Sequence, residues 1–152
     1  MGKGVYKFVE YNIVKYKTNL IGREFSNEWI TINKRGIITI TPKSTGYAWD
    51  GCSPKKEFLD LLIGTPDGRI DKETNKPITY YASLLHDCIY QFKNDINISR
   101  SEADKLFKLI LKERNFYWFK IYYICVRLFG GFYGNWKCKI DKKITFCKII
   151  SK

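Results

Sequence analysis

The chain has a single histidine, no Cys-x-x-Cys pair, no bilayer-length apolar run and far fewer acids than bases. Each shortage excludes something. Its five cysteines, Cys52, Cys88, Cys125, Cys138 and Cys147, are odd in number and irregularly spaced, which argues against a zinc finger or a disulfide scaffold. The first residues, Met1 to Tyr6, contain no apolar stretch of the kind a secretory signal needs, and Tyr6 stands where N-myristoylation requires Ser or Thr. No signal peptide is visible, and a reducing cytoplasm is the expected compartment. The most apolar run, Phe116 to Phe132, is interrupted by Lys120 and Arg127 and falls short of the roughly 20 residues a spanning helix needs. It reads as a buried helix first and an interfacial helix second. Gly64-Thr65-Pro66-Asp67-Gly68 lacks the Gly-Lys-Ser/Thr of a phosphate loop and is explained as a turn. There is no internal repeat and no low-complexity linker.

What is present is a chain of 152 residues, 45% hydrophobic and 16% aromatic. That length suits one domain over residues 1–152, burying roughly two-thirds of the surface its unfolded form exposes. Twenty-seven Lys and Arg against 15 Asp and Glu give a net charge of +12. A field of that sign attracts nucleic acid or acidic lipid, although in an aromatic-rich small protein lysine also serves solubility. No nucleic-acid-binding motif accompanies the charge.

The organisation reads as α+β: a small N-terminal antiparallel sheet followed by a helical hairpin and a third helix. Residues 1–50 are β-rich. Apolar and polar residues partly alternate from Tyr6 to Tyr16, and the runs Trp29–Ile32 and Ile37–Thr41 flank Asn33-Lys34-Arg35-Gly36, which predicts a hairpin with Gly36 at the turn exit. The turn-prone segment Gly46 to Pro54 then holds Asp50 at a strand end. Phe58 to Ile63 form a short apolar block, helix or strand.

Residues 79–131 make up the helical part. From Thr79 the apolar residues Tyr81, Leu84, Leu85, Cys88 and Phe92 follow helical spacing, and Ser83, His86, Asp87 and Tyr90 fall within about a 100° arc on the opposite side. Ser99 with Glu102 is a capping box opening a second helix, whose core stripe is Ala103, Leu106, Phe107, Ile110 and Leu111. Asp104 lies at the margin of that stripe, where it can meet a neighbouring helix. A third helix from Phe116 to about Phe129 ends at Gly130-Gly131, in the manner of a glycine C-cap. The basic C-terminal segment, 132–152, adds a strand or a loose tail.

The one histidine thus sits beside an acid, one turn from a tyrosine, with a second acid on the following helix and a third in a turn loop. A histidine acts as a general base near neutral pH when a carboxylate fixes its tautomer, and Asp104 is the candidate for that task. A carboxylate next to the base, together with loop carbonyls and another acid, suits a hard cation such as calcium. Asp87 and Asp50 are the candidate ligands. The ordinary readings compete: His86 as a hydrogen-bonded helix histidine, and Asp104 as an acid complementing the helix dipole. Arg100 and Arg127 are candidate anion-binding residues for a phosphate head group, with salt bridges to Asp104 or Glu102 ranked first.

At these residues the chain shows two resemblances. Trp49-Asp50-Gly51-Cys52-Ser53-Pro54, Leu85-His86-Asp87-Cys88-Ile89-Tyr90, Arg100 to Phe107 and Val126-Arg127-Leu128-Phe129-Gly130 resemble a phage and prophage family of unknown function over roughly residues 45 to 131. That family's pattern is an Asp-Gly-x-Ser-x-Pro-like loop, a His-Asp pair, an Arg-x-x-x-Asp helix and an Arg-x-Phe-Gly ending. The central motifs are also similar to the bacterial branch of the secreted phospholipases of the A-two type. That similarity implies a calcium-assisted ester hydrolase in which His86 activates water, Asp104 orients His86, Tyr90 hydrogen-bonds Asp104, and Asp87 with the Asp50-Gly51 loop holds calcium. It implies a phospholipid substrate or an anionic lipid surface as partner. The phage resemblance implies a place in the host cytoplasm or on the virion. In the secreted enzymes a cysteine three residues before the histidine pairs with the loop cysteine; here Ser83 takes that place, so Cys52 loses its partner, and the interval between loop and histidine is longer. Two other functions stand beside the hydrolase: a non-enzymatic virion or host-interaction protein with a structural His/Asp network, and a basic nucleic-acid-binding module.

Overall fold

Strict alternation of apolar and lysine side chains from Val14 to Thr18 gives a strand with one face in the core and the other in water. The computed structural model describes residues 8–49, 70–129 and 136–152. Strand β1 spans Phe8–Glu10, β2 Val14–Thr18, β3 Phe25–Ser26, β4 Ile30–Ile32, β5 Ile37–Ile40 and β6 Tyr47–Trp49. A small hairpin of β7 (Ile70–Asp71) and β8 (Lys76–Pro77) leads into three helices, α1 (Tyr80–Gln91), α2 (Arg100–Glu113) and α3 (Phe119–Phe129). Strand β9, Cys147–Ser151, closes the order. The fold is α+β, as the sequence predicts.

The main sheet has the order β3-β4-β5-β2-β9, with every neighbouring pair antiparallel. The predicted hairpin is β4–β5, pairing Ile30 with Ile40 and Ile32 with Ile38. Asn33 Oδ1 accepts the backbone N–H groups of Arg35 and Ile37, and Gly36 closes the turn at φ +78°. A Cβ at Gly36 would stand 2.7 Å from the Thr18 carbonyl oxygen, so glycine is required there for space as well as for backbone angle. Within the basic C-terminal segment, Cys147–Ser151 form strand β9 at the sheet edge beside β2, while 136–146 run without regular structure.

The alternating stretch expected from Tyr6 to Tyr16 is two strands in two sheets. Its break is chemical: the Glu10 carboxylate accepts the backbone N–H groups of Tyr11 and Asn12 at 3.0 and 2.9 Å, turning the chain after β1. Strand β1 then pairs with β6, and β2 with β5. Glu10 also accepts a hydrogen bond from Tyr80 at 3.0 Å, which ties this small sheet to the start of α1.

Val14, Tyr16, Ile30, Ile32, Ile38 and Ile40 share one core with Leu84, Leu85 and Ile89 of α1 and Leu106, Ile110 and Leu111 of α2. Each fully buried Leu or Ile side chain stabilises the fold by about 1.5–3 kcal/mol. Helix α2 carries the predicted capping box: Ser99 Oγ accepts from Glu102 N, and Glu102 Oε2 accepts from Ser99 N. Helix α3 begins three residues later than Phe116, and it is not simply buried. Tyr122, Cys125 and Val126 face the core, while Ile124 and Leu128 are 54% and 65% exposed. The Phe58 to Ile63 block, the Gly64 to Gly68 turn and the Gly130-Gly131 cap lie outside the described residues.

Candidate active site

The polar arc of α1 exists but does not face water. It faces the corner between α2 and β6, and its two edges take different partners. His86 and Tyr90, one turn apart, point at Asp104 of α2. Ser83 and Asp87, also one turn apart, point at the side chains of Trp49 and Tyr47 on β6. Helix α1 is therefore covered on both sides, which is why Ser83 and His86 are as buried as its apolar stripe.

Asp104 is the hub of the first edge and has no exposed surface. Its Oδ1 lies 2.7 Å from His86 Nε2 and accepts a 2.6 Å hydrogen bond from the Tyr90 hydroxyl. Its Oδ2 accepts from Arg127 Nη1 of α3 at 2.8 Å, and Arg100 Nε, one turn earlier on α2, lies 3.8 Å away. Burial, reinforced by the Asp104 charge, pushes the Tyr90 phenol well above the ordinary tyrosine range, so this hydroxyl stays protonated and donates. A carboxylate so placed is an acceptor towards the imidazole. The hydrogen therefore belongs on Nε2, and the lone pair on Nδ1. No described residue bonds Nδ1. The ring itself is held by Tyr90 and Phe107, with centroids 4.2 and 4.9 Å away. His86 is 5% exposed.

The second edge ties β6 to α1 through Ser83. Trp49 Nε1 donates to Ser83 Oγ at 3.0 Å, and Ser83 Oγ donates in turn to the Tyr80 carbonyl at 3.1 Å. Ser83 thus holds the residue immediately before Asp50, from a position one turn before Asp87. The Tyr47 hydroxyl lies 2.8 Å from Gln91 Oε1 and 3.2 Å from Asp87 Oδ2, its one proton shared between the two acceptors. Burial, followed by the nearby Cys88 and Asp87, holds the Tyr47 phenol well above its usual range and keeps it a donor.

Asp50 and Gly51 lie outside the described residues, as does Cys52. Among the described residues no group of three or more His, Cys, Asp or Glu side chains is gathered as a metal site. Asp87 alone does not make a calcium site, and its expected partners in the Asp50-Gly51 segment are not among the described residues. The four described cysteines, Cys88, Cys125, Cys138 and Cys147, are free and buried.

Both arginines do what was ranked first for them: Arg127 pairs with Asp104 at 2.8 Å, and Arg100 approaches it at 3.8 Å. Arg100 also donates to the main-chain carbonyls of Val126 and Arg127 near the end of α3. Glu102 has a different partner that the sequence did not signal. Arg23, ahead of β3, grips both its oxygens at 2.7 and 3.1 Å, and the backbone N–H of Lys142 adds a third bond at 2.7 Å. Arg23 does not stand out in the sequence as part of this constellation, whereas Trp49 opens one of its motifs. Proximity of Trp49 to the Asp-Gly loop is the one signal that marked it.

No protein-family model, curated protein or solved structure matches the chain. Its resemblances rest on the motifs themselves.

Proposed function

We propose that the chain is a calcium-assisted ester hydrolase resembling a phospholipase, encoded by a virus or prophage and acting on phospholipid at an anionic surface, in the host cytoplasm or on the virion. The observation that carries this reading is the orientation of His86. Asp104 Oδ1, itself held by the Tyr90 hydroxyl, bonds Nε2 and leaves Nδ1 as the basic atom, the arrangement a general base requires. Nδ1 takes the proton of the attacking water, and Asp104 stabilises the imidazolium that forms. Asp87, with Asp50 and the Gly51 carbonyl, would hold the metal. A calcium ion bound there supplies Lewis-acid polarisation of the ester carbonyl.

A lipid surface as partner draws support from α3. Ile124 and Leu128 are exposed one turn apart on its outer side, Tyr117 and Trp118 are exposed just before its first residue, and Lys112 and Lys120 stand at the flank. Aromatic residues and lysines around an apolar stripe suit a headgroup boundary. Among the described residues, no helix is long and apolar enough to cross a membrane.

The second reading, a structural network, is favoured by the depth of the site: Asp104 is wholly buried, and two arginines already share its Oδ2 side. Turnover of mixed phospholipid micelles with and without calcium separates the two. Calcium-dependent fatty-acid release supports the hydrolase; an inert wild-type protein overturns it.

A further inference from the structure

A cavity of about 270 Å³ opens where the N-terminus of α2 meets α3 and the C-terminal segment. Its lining includes Arg100, Arg127 and Lys139, with Ser101, Trp136 and Asp141. We propose that this cavity is an oxyanion site that takes a phosphate group. The proposal goes beyond the hydrolase reading and stands without it.

Three independent features converge on it. First, charge: three cations line the cavity against the single carboxylate of Asp141, and Asp104 behind them supplies one further negative charge. Asp141 is itself engaged, accepting a hydrogen bond from Ser99 Oγ. Second, the backbone: the capping box takes the N–H groups of Ser99 and Glu102, while those of Arg100 and Ser101 have no partner among the described residues. In a helix of 14 residues, such free amides at the positive end of the dipole are anion ligands. Third, unmet donors: among the described residues the two fully buried side-chain nitrogens without a hydrogen bond are Arg100 Nε and Trp136 Nε1, and both residues line this cavity. Trp136 is more than nine-tenths buried. A buried donor left without a hydrogen bond is costly; Trp136 Nε1 has no partner, Arg100 Nε has only the Asp104 carboxylate at 3.8 Å, and the two at one cavity point to a ligand rich in acceptor oxygens. Glu102, the other acid nearby, is saturated by Arg23, Ser99 and Lys142 and does not compete.

A tetrahedral phosphate fits this donor set, because it accepts from amides and guanidinium groups at once. The volume admits the phosphate with a small substituent, not a lipid with its chains. Free phosphate and a lipid head group share that chemistry, and two arms of one experiment distinguish them. In the first, melting temperature is followed against inorganic phosphate, with sodium chloride at matched ionic strength as control. In the second, binding is followed to phosphatidylcholine vesicles with and without phosphatidic acid. Two variants accompany both arms. Ser101→Asp places a negative charge in the site but favours the helix dipole, and Lys139→Glu reverses an exposed charge. Each should fold as the wild type does. The expected result is a saturable phosphate-dependent rise in melting temperature, weakened at least tenfold in apparent affinity by either variant. A variant-sensitive response to phosphatidic acid alone assigns the site to a head group. No saturable response in either arm, or one that both variants leave unchanged, overturns the site.

Discussion

Trp49 Nε1 and Ser83 Oγ, 3.0 Å apart, join β6 to α1. Both side chains are buried, and Trp49 also packs on Tyr80 at 4.8 Å between ring centroids. The tie is a single hydrogen bond supported by an aromatic contact. Ser83→Ala should therefore lower stability by about 1–3 kcal/mol, because the indole N–H is left buried without an acceptor. Urea unfolding of the two proteins measures this directly. A loss below about 0.5 kcal/mol would mean that the aromatic packing alone holds Trp49.

The His86–Asp104 pair separates catalyst from scaffold. If His86 Nδ1 is the base, His86→Gln should reduce calcium-dependent ester turnover by about 10² to 10⁴. Asp104→Asn should do the same and also destabilise the fold, since it strips the charge partner from Arg127 and Arg100. Asp87→Asn should remove the calcium dependence first and leave stability close to that of the wild type, because Tyr47 keeps Gln91 as a partner. Turnover and melting temperature measured in parallel give two axes. Destabilised variants of an inactive wild type would leave only the structural network.

Buried thiols and phenols set the alkaline limit of the protein. Burial pushes Cys88 and Cys147 well above the ordinary thiol range, and burial likewise raises Tyr16, Tyr47 and Tyr90. In each case the unfolded chain gives up its proton at a lower pH than the folded one. Their contribution is thus complete below about pH 8.5 for the thiols and about pH 10 for the phenols, and is lost as pH rises beyond those values. Unfolding free energy should fall steadily above about pH 9. The same burial should make Cys88 and Cys147 unreactive to alkylation in the native state, with five thiols appearing on denaturation. Mass spectrometry after native and denatured alkylation counts them.

Vesicle binding should have two separable parts. Basic residues near an acidic surface contribute about 1 kcal/mol each and are screened by salt, whereas the outer stripe of α3 contributes through apolar contact. Ile124→Ser with Leu128→Ser, both positions more than half exposed, should cut binding at high salt severalfold and barely move the melting temperature. Sedimentation with vesicles at low and high salt measures both. Complete loss of wild-type binding at high salt, with low-salt affinity unchanged in the double variant, would assign the attraction to charge alone.

The hairpin around Gly36, the capping box at Ser99 and the meeting of His86 with Asp104 were legible because each depends on local spacing and on a short connection between neighbouring elements. The break after Glu10 was not, because a side-chain carboxylate capturing its own neighbours' amides leaves the apolar alternation almost intact. Nor was the division of the α1 arc. Helical periodicity places Ser83, His86, Asp87 and Tyr90 on one side, but which of two elements each one meets depends on where β6 lies. The Arg23–Glu102 pair spans 79 positions and carries no local pattern, and the cavity at α2 draws Arg127, Trp136 and Lys139 from beyond the motif that contains Arg100.

The wholly buried Glu102 carboxylate bonds Arg23 from near the start of the chain and Lys142 from near its end. Three distant stretches must therefore arrive before its charge is matched, and closing loops of that length is slow. The cap of α2 is locally encoded, yet its burial depends on contacts 79 and 40 positions away. Weakening the Arg23 contact should leave the folding rate almost untouched and hasten unfolding, so this junction governs how long the native molecule lasts more than how quickly it forms.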